Sequence, residues 1–76
     1  MELNPKEKAN ELVERFRKSI TSFLSDEMKD RNAIQCSIIA VEEIYIEIVR
    51  LDEKFNLGLE GTRQYWEKVL AELKQM

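Results

Sequence analysis

Residues 33–51, AIQCSIIAVEEIYIEIVRL, decide how the rest of the chain is read. Placed at helical intervals from Ile34, the residues Ala33, Ile38, Ala40, Val41, Ile44, Tyr45, Ile48, Val49 and Leu51 share with it one arc of roughly 180°. The β-branched run from Ile44 to Val49 has strand propensity as well. The apolar pattern nevertheless continues from Ala33 with no internal turn signal, so the stretch is expected to be helical. An arc that wide needs two covering neighbours. Ile39 and Ile46 fall outside it, on the polar side near Gln35, Glu42, Glu43 and Arg50. Single exposed apolar residues need no explanation. Two β-branched ones aligned at heptad spacing point to a helix–helix contact. Burying both would contribute about 3 to 6 kcal/mol per chain before the cost of association.

Working outward, this central helix is expected to begin at Ser25, followed by Asp26 and Glu27, or at Asp30, and to end near Leu51. Upstream, Asn4 suits an N-cap, Pro5 the first helical position and Glu7 the reciprocal capping-box position. Ala9, Leu12, Val13, Phe16, Ile20, Phe23 and Leu24 form one apolar stripe. Lys8, Glu11, Arg15 and Lys18 occupy the opposite face, with Glu11 and Glu14 four residues before Arg15 and Lys18. Ser19, Thr21 and Ser22 weaken the far end, and this first helix is expected to stop near Leu24 or Ser25. Downstream, residues 52–61, DEKFNLGLEG, read as a loop punctuated by Asn56, Gly58 and Gly61. Phe55, Leu57 and Leu59 are expected to pin it to the core. A third helix, capped by Thr62 or starting at Gly61, should run to about Gln75, with Tyr65, Trp66, Val69, Leu70, Leu73 and Met76 as its stripe. The expectation is one all-α domain over residues 1–76. It is a three-helix, bundle-like unit with a long central helix, assembled into an oligomer.

Composition narrows the function classes. A chain of 76 residues buries only about 60% of its unfolded surface, and domains this small usually need a disulfide, a metal or a partner. Cys36 is the single cysteine, so no internal disulfide can form, and with no histidine the commonest metal ligand and general base are missing. Self-association is the remaining support. Twelve basic against 15 acidic residues, a net charge of −3, argue against a duplex nucleic-acid partner. No apolar run approaches a membrane span and the charged start lacks a signal-peptide core, so a cytoplasmic location is expected.

Three blocks carry a resemblance. They are Pro5-Lys6-Glu7-Lys8-Ala9 with Glu11-Leu12-Val13 and Phe16; Asn32-Ala33 with Cys36 and Ile38-Ile39-Ala40-Val41-Glu42-Glu43-Ile44; and Tyr65-Trp66 with Val69 and Leu73. Together they resemble a group of small uncharacterised helical proteins of Bacteroidetes genomes, their prophages and phages. Where that group often reads Cys-Ala-Leu, this chain has Cys36-Ser37-Ile38, and its 55–61 loop differs. The resemblance implies a phage or mobile-element origin, and with it the cytoplasm of a bacterial host; no catalytic residues carry over from it.

The residues themselves offer few chemical sites. Glu43 and Glu47, one helical turn apart and beside Glu42, could hold Mg²⁺ as in all-helical nucleotide pyrophosphohydrolases, but a second carboxylate motif is lacking; Glu60 and Glu72 are weak substitutes. A solvated acidic face explains them better. Cys36 has no histidine to activate it and is expected to be a small, semi-buried core residue. Arg15, Arg17 and Lys18, with Lys29 and Arg31, are interleaved with acids, so surface ion pairing is the first explanation. The reading is therefore a non-enzymatic helical homo-oligomer that acts by binding, without cofactor or metal. Ile39, Tyr45, Ile46 and Trp66 are its expected interface residues. A sharper version is a counter-defence sponge sequestering a host signalling nucleotide, with Arg15, Lys18, Arg50 and Arg63 for phosphates and Tyr45, Tyr65 or Trp66 for base stacking. The alternatives are an adaptor docking on a host or phage protein through the second helix, and a Mg²⁺-dependent nucleotide hydrolase using Glu43 and Glu47.

Overall fold

The computed structural model describes residues 3–19 and 25–76, which form three helices, α1 (Pro5–Ser19), α2 (Asp26–Phe55) and α3 (Glu60–Lys74). Each packs against the other two. Helix α1 starts as its sequence demands. The Asn4 side-chain oxygen accepts from the Glu7 amide at 2.8 Å, and the Asn4 amide donates to Glu7 Oε1 at 3.3 Å. Ile20, Phe23 and Leu24, and with them the expected end of the first helix, lie outside the described residues.

Ser25 caps α2, accepting the Met28 amide on Oγ at 3.3 Å, so Asp30 lies inside the helix. Helix α2 then continues past Leu51 to Phe55 and stops only at Asn56, whose left-handed backbone (φ 52°, ψ 53°) returns its amide to the Asp52 carbonyl at 2.7 Å. The loop expected from residue 52 is thus shorter, residues 56–59. Asp52 to Phe55 contain no breaker, and Asn56 is the first residue that tolerates the reversal. Helix α3 likewise begins before Gly61 and Thr62. Leu59 occupies its cap position without a side-chain bond, and the Leu59 amide is held by Asp52 Oδ1 at 3.2 Å. A carboxylate on the preceding helix does the anchoring that Thr62 was expected to do.

The three-way core holds few fully buried side chains among the described residues. Ala9, Ala33, Val41, Val69 and Leu73 are its fully buried apolar residues among those described. Leu12, Val13, Ile38, Tyr65, Trp66 and Leu70 are half-buried against it. Ala33, Ser37 and Val41 recur every four residues along one line of α2, and such short side chains let a neighbouring backbone approach closely. The buried Ser37 hydroxyl donates to the Ala33 carbonyl at 2.8 Å, which satisfies it inside its own helix. Arg17 on α1 reaches Asp26 and Asp30 at the start of α2, and the Tyr65 hydroxyl donates to the Leu3 carbonyl at 2.7 Å.

Five residues expected inside are outside, Met76 among them, beyond the end of α3 at Lys74. Leu51, Phe55 and Leu57 are exposed, leaving only Leu59 of the connection half-buried. The first two share one cause. With 30 residues, α2 is about 45 Å long, whereas α1 has 15, about 22 Å, so α2 outruns it. Leu51 has nearly the same azimuth as buried Ala33 but stands beyond the reach of α1. Cys36 is exposed too, because it lies on the flank of the outward face.

Candidate functional site

The described surface is most distinctive along the outward face of α2. Met28, Ile39 and Ile46 are 48%, 54% and 46% exposed, and their spacings of 11 and 7 residues hold them within about 20° of one line. The sequence reading had the two isoleucines; Met28 was missed, although three full turns back from Ile39 is an ordinary helical repeat. Glu42, Glu43, Arg50 and Glu53 flank the line and are exposed. Beside Ile46, the residues Tyr45, Val49, Arg50 and Glu53 close a shallow groove of about 290 Å³ whose surface is mainly apolar.

A second groove, of about 350 Å³, opens between the end of α2 and the start of α3. Asp52, Glu60 and Glu67 line it opposite a single cation, Arg63. Arg63 Nη1 is 3.6 Å from Asp52 Oδ2. Hydrogen bonding to the Tyr45 side chain, opposed by desolvation and helped by the charge of Asp52, holds the Arg63 guanidinium above its ordinary pKa. It stays protonated at every pH at which the protein would be handled. Three carboxylates against one guanidinium give this groove the wrong sign for a phosphate.

The residues expected to bind a nucleotide do not converge within one protomer. Arg15 and Lys18 lie on α1, Arg50 on the outward face of α2, and Arg63 and Tyr65 on α3. Residues two apart on a helix point about 200° from one another, so Arg63 and Tyr65 cannot grip one small ligand. Arg63 lines the acidic groove, whereas Tyr65 shares a separate cleft with Trp66. The Tyr65 hydroxyl is engaged with Leu3, and its ring meets Trp66 edge-on at 5.4 Å. Every arginine is within salt-bridge reach of a carboxylate: Arg15 of Glu11, Arg17 of Asp26 and Asp30, Arg31 of Glu27, Arg50 of Glu47, Arg63 of Asp52.

Of the expected interface residues, Ile39 and Ile46 stand on the outward face, Tyr45 sits half-buried between the two grooves, and Trp66 packs against the core. Glu43 and Glu47 are exposed, and Glu47 accepts from Arg50 at 2.8 Å. Among the described residues no three Cys, His, Asp or Glu side chains are grouped to hold a metal ion, and no helix is long and apolar enough to cross a membrane. Arg17, read on the sequence together with Arg15 and Lys18 as one of the ion-paired surface residues, is the residue that ties α1 to α2. The four-residue spacing of Asp26 and Asp30 was its signal. No protein family, curated protein or solved structure matches the chain.

Proposed function

We propose that the chain is a non-catalytic binding protein, of the phage or prophage type its sequence resembles, that works as a homo-oligomer assembled through the outward face of α2. One observation carries the proposal: the exposed line of Met28, Ile39 and Ile46, beside few fully buried apolar side chains among the described residues. Each fully buried aliphatic side chain contributes about 1.5 to 3 kcal/mol, and among the described residues Val41, Val69 and Leu73 are the only such side chains larger than alanine. A domain this size gains by covering the isoleucines with a second copy.

Mass in solution at micromolar concentration tests this. A multiple of 9.0 kDa is expected for the native chain, and 9.0 kDa for the Ile39→Asp/Ile46→Asp variant with its helix content intact. A native chain that stays at 9.0 kDa overturns the proposal and leaves the adaptor reading, in which the same face meets a different protein. The nucleotide-sequestering version has its own support. Tyr45 and Arg50, an aromatic ring and a guanidinium, share the groove beside Ile46, where a second subunit would roof it. Calorimetric titration with cyclic dinucleotides should then release heat in native protein and not in Arg50→Ala. No heat with any of them removes that version.

A further inference from the structure

We infer that two copies pair with their α2 helices antiparallel and the two-fold axis beside Ile46, so that Glu43 of each copy faces the partner's Arg50. This rests on the self-assembly proposed above and specifies its geometry. The argument is the distribution of charge around the apolar line. Taking Ile39 as the reference, Glu43 and Arg50 lie about 40° and 20° to one side; Ile46, Glu53 and Glu42 lie about 20°, 40° and 60° to the other.

Four arrangements bring the isoleucines to a shared seam, one parallel and three antiparallel, the latter centred between the two isoleucines, on Ile39 or on Ile46. In a parallel pair, residues at one height meet across opposite flanks, so Glu43 faces the partner's Glu42, twice. Carboxylates would then repel at the centre of the contact, between the two isoleucine layers. In an antiparallel pair, residues of the same flank meet at mirrored heights. Centred midway between Ile39 and Ile46, that symmetry sets Glu43 on Glu43 and Glu42 on Glu42, again placing like charges at the axis. Moving the axis by half a heptad takes like charges off the axis in either direction. At Ile39 it sets Glu43 near the partner's uncharged Asn32 and Cys36, whereas at Ile46 it gives Glu43 an opposite charge, with Glu42 and the partner's Glu53 left at the solvated edge. Glu43 then stands nearly as far below the axis as Arg50 stands above it, on the same flank, and the two meet as opposite charges in both halves of the dimer. Ile46 packs on its own copy, and Ile39 lies over the methylene stem of the partner's Glu53. Arg50 already holds Glu47 at 2.8 Å within its own helix, and a guanidinium has donors left for a second carboxylate.

Cys36 supplies the measurement, because it is the only cysteine, is exposed, and lies ten residues before Ile46. A nitroxide attached there in the full chain should give a dominant interspin distance near about 30 Å by pulsed electron resonance. The axis midway between the isoleucines predicts about 20 Å, and the parallel pair less than about 15 Å. Either of the shorter distances in a dimeric protein overturns this arrangement and leaves self-assembly standing, whereas a monomeric native chain removes both. Charge reversal gives an independent reading. Arg50→Glu and Glu43→Arg should each weaken dimerisation about tenfold, and the double variant should return to within about threefold of native. Failure of the double variant to recover would overturn the Glu43–Arg50 contact.

Discussion

Asp52 controls the end of α2 more than any apolar residue near it. Its carbonyl receives the Asn56 amide, one carboxylate oxygen holds the Leu59 amide, and the other is beside Arg63. Replacing it with Ala should cost about 1 to 2 kcal/mol in chemical denaturation, because the Leu59 amide loses its acceptor. Gly58 matters for a different reason. Its φ is +67°, and a Cβ built there meets nothing within 4 Å, so Gly58→Ala isolates the cost of the left-handed backbone, about 1 kcal/mol. Ser37→Ala should change stability by less than about 1 kcal/mol, since the hydroxyl serves only a carbonyl of its own helix. The raised pKa of Arg63 adds no pH dependence near neutrality. A cation whose folded-state pKa is raised contributes its full stabilisation below the unfolded-state value and loses it only as pH climbs through the folded one. Both lie in strongly alkaline solution.

At the scale of elements, the chain's pattern was most legible where residues interact within one helix. The Asn4–Glu7 box and the Ser25 cap are local chemistry, and both were readable from their spacing. The other boundaries depend on neighbours. Residues 52–55 read as loop because Asn56 and Gly58 lie close by, yet α2 runs on to Phe55 and ends where Asn56 takes a positive φ. The start of α3, expected at Gly61 or Thr62, falls at Glu60, because its anchor, Asp52, is on another helix. Apolar character alone misplaced Leu51 and Phe55, since burial requires a partner element long enough to reach them. The outward face was legible from the heptad pair, but nothing in one sequence tells which residues a groove brings together. Tyr45 and Arg50 share one, whereas Arg63 and Tyr65, adjacent on paper, diverge. Inward and outward apolar residues should respond differently to truncation. Leu73→Ala should cost about 2 to 5 kcal/mol, whereas Ile39→Ala, measured where the protein is monomeric, should cost less than about 0.5 kcal/mol.

For the whole molecule, elongation is the governing property: the described helices fit within extents of 46 × 22 × 21 Å. A rod with a short core and a long exposed seam couples folding to association, so the melting temperature should rise with protein concentration. An unchanged melting temperature across a hundredfold range of concentration would count against assembly. The placement of Trp66 bears on how such experiments are monitored. As the only tryptophan it packs against the core beside Tyr65, away from the isoleucine line. Its fluorescence would register unravelling of the chain and stay nearly silent while subunits exchange, so an emission trace that stays flat on dilution says nothing about dissociation.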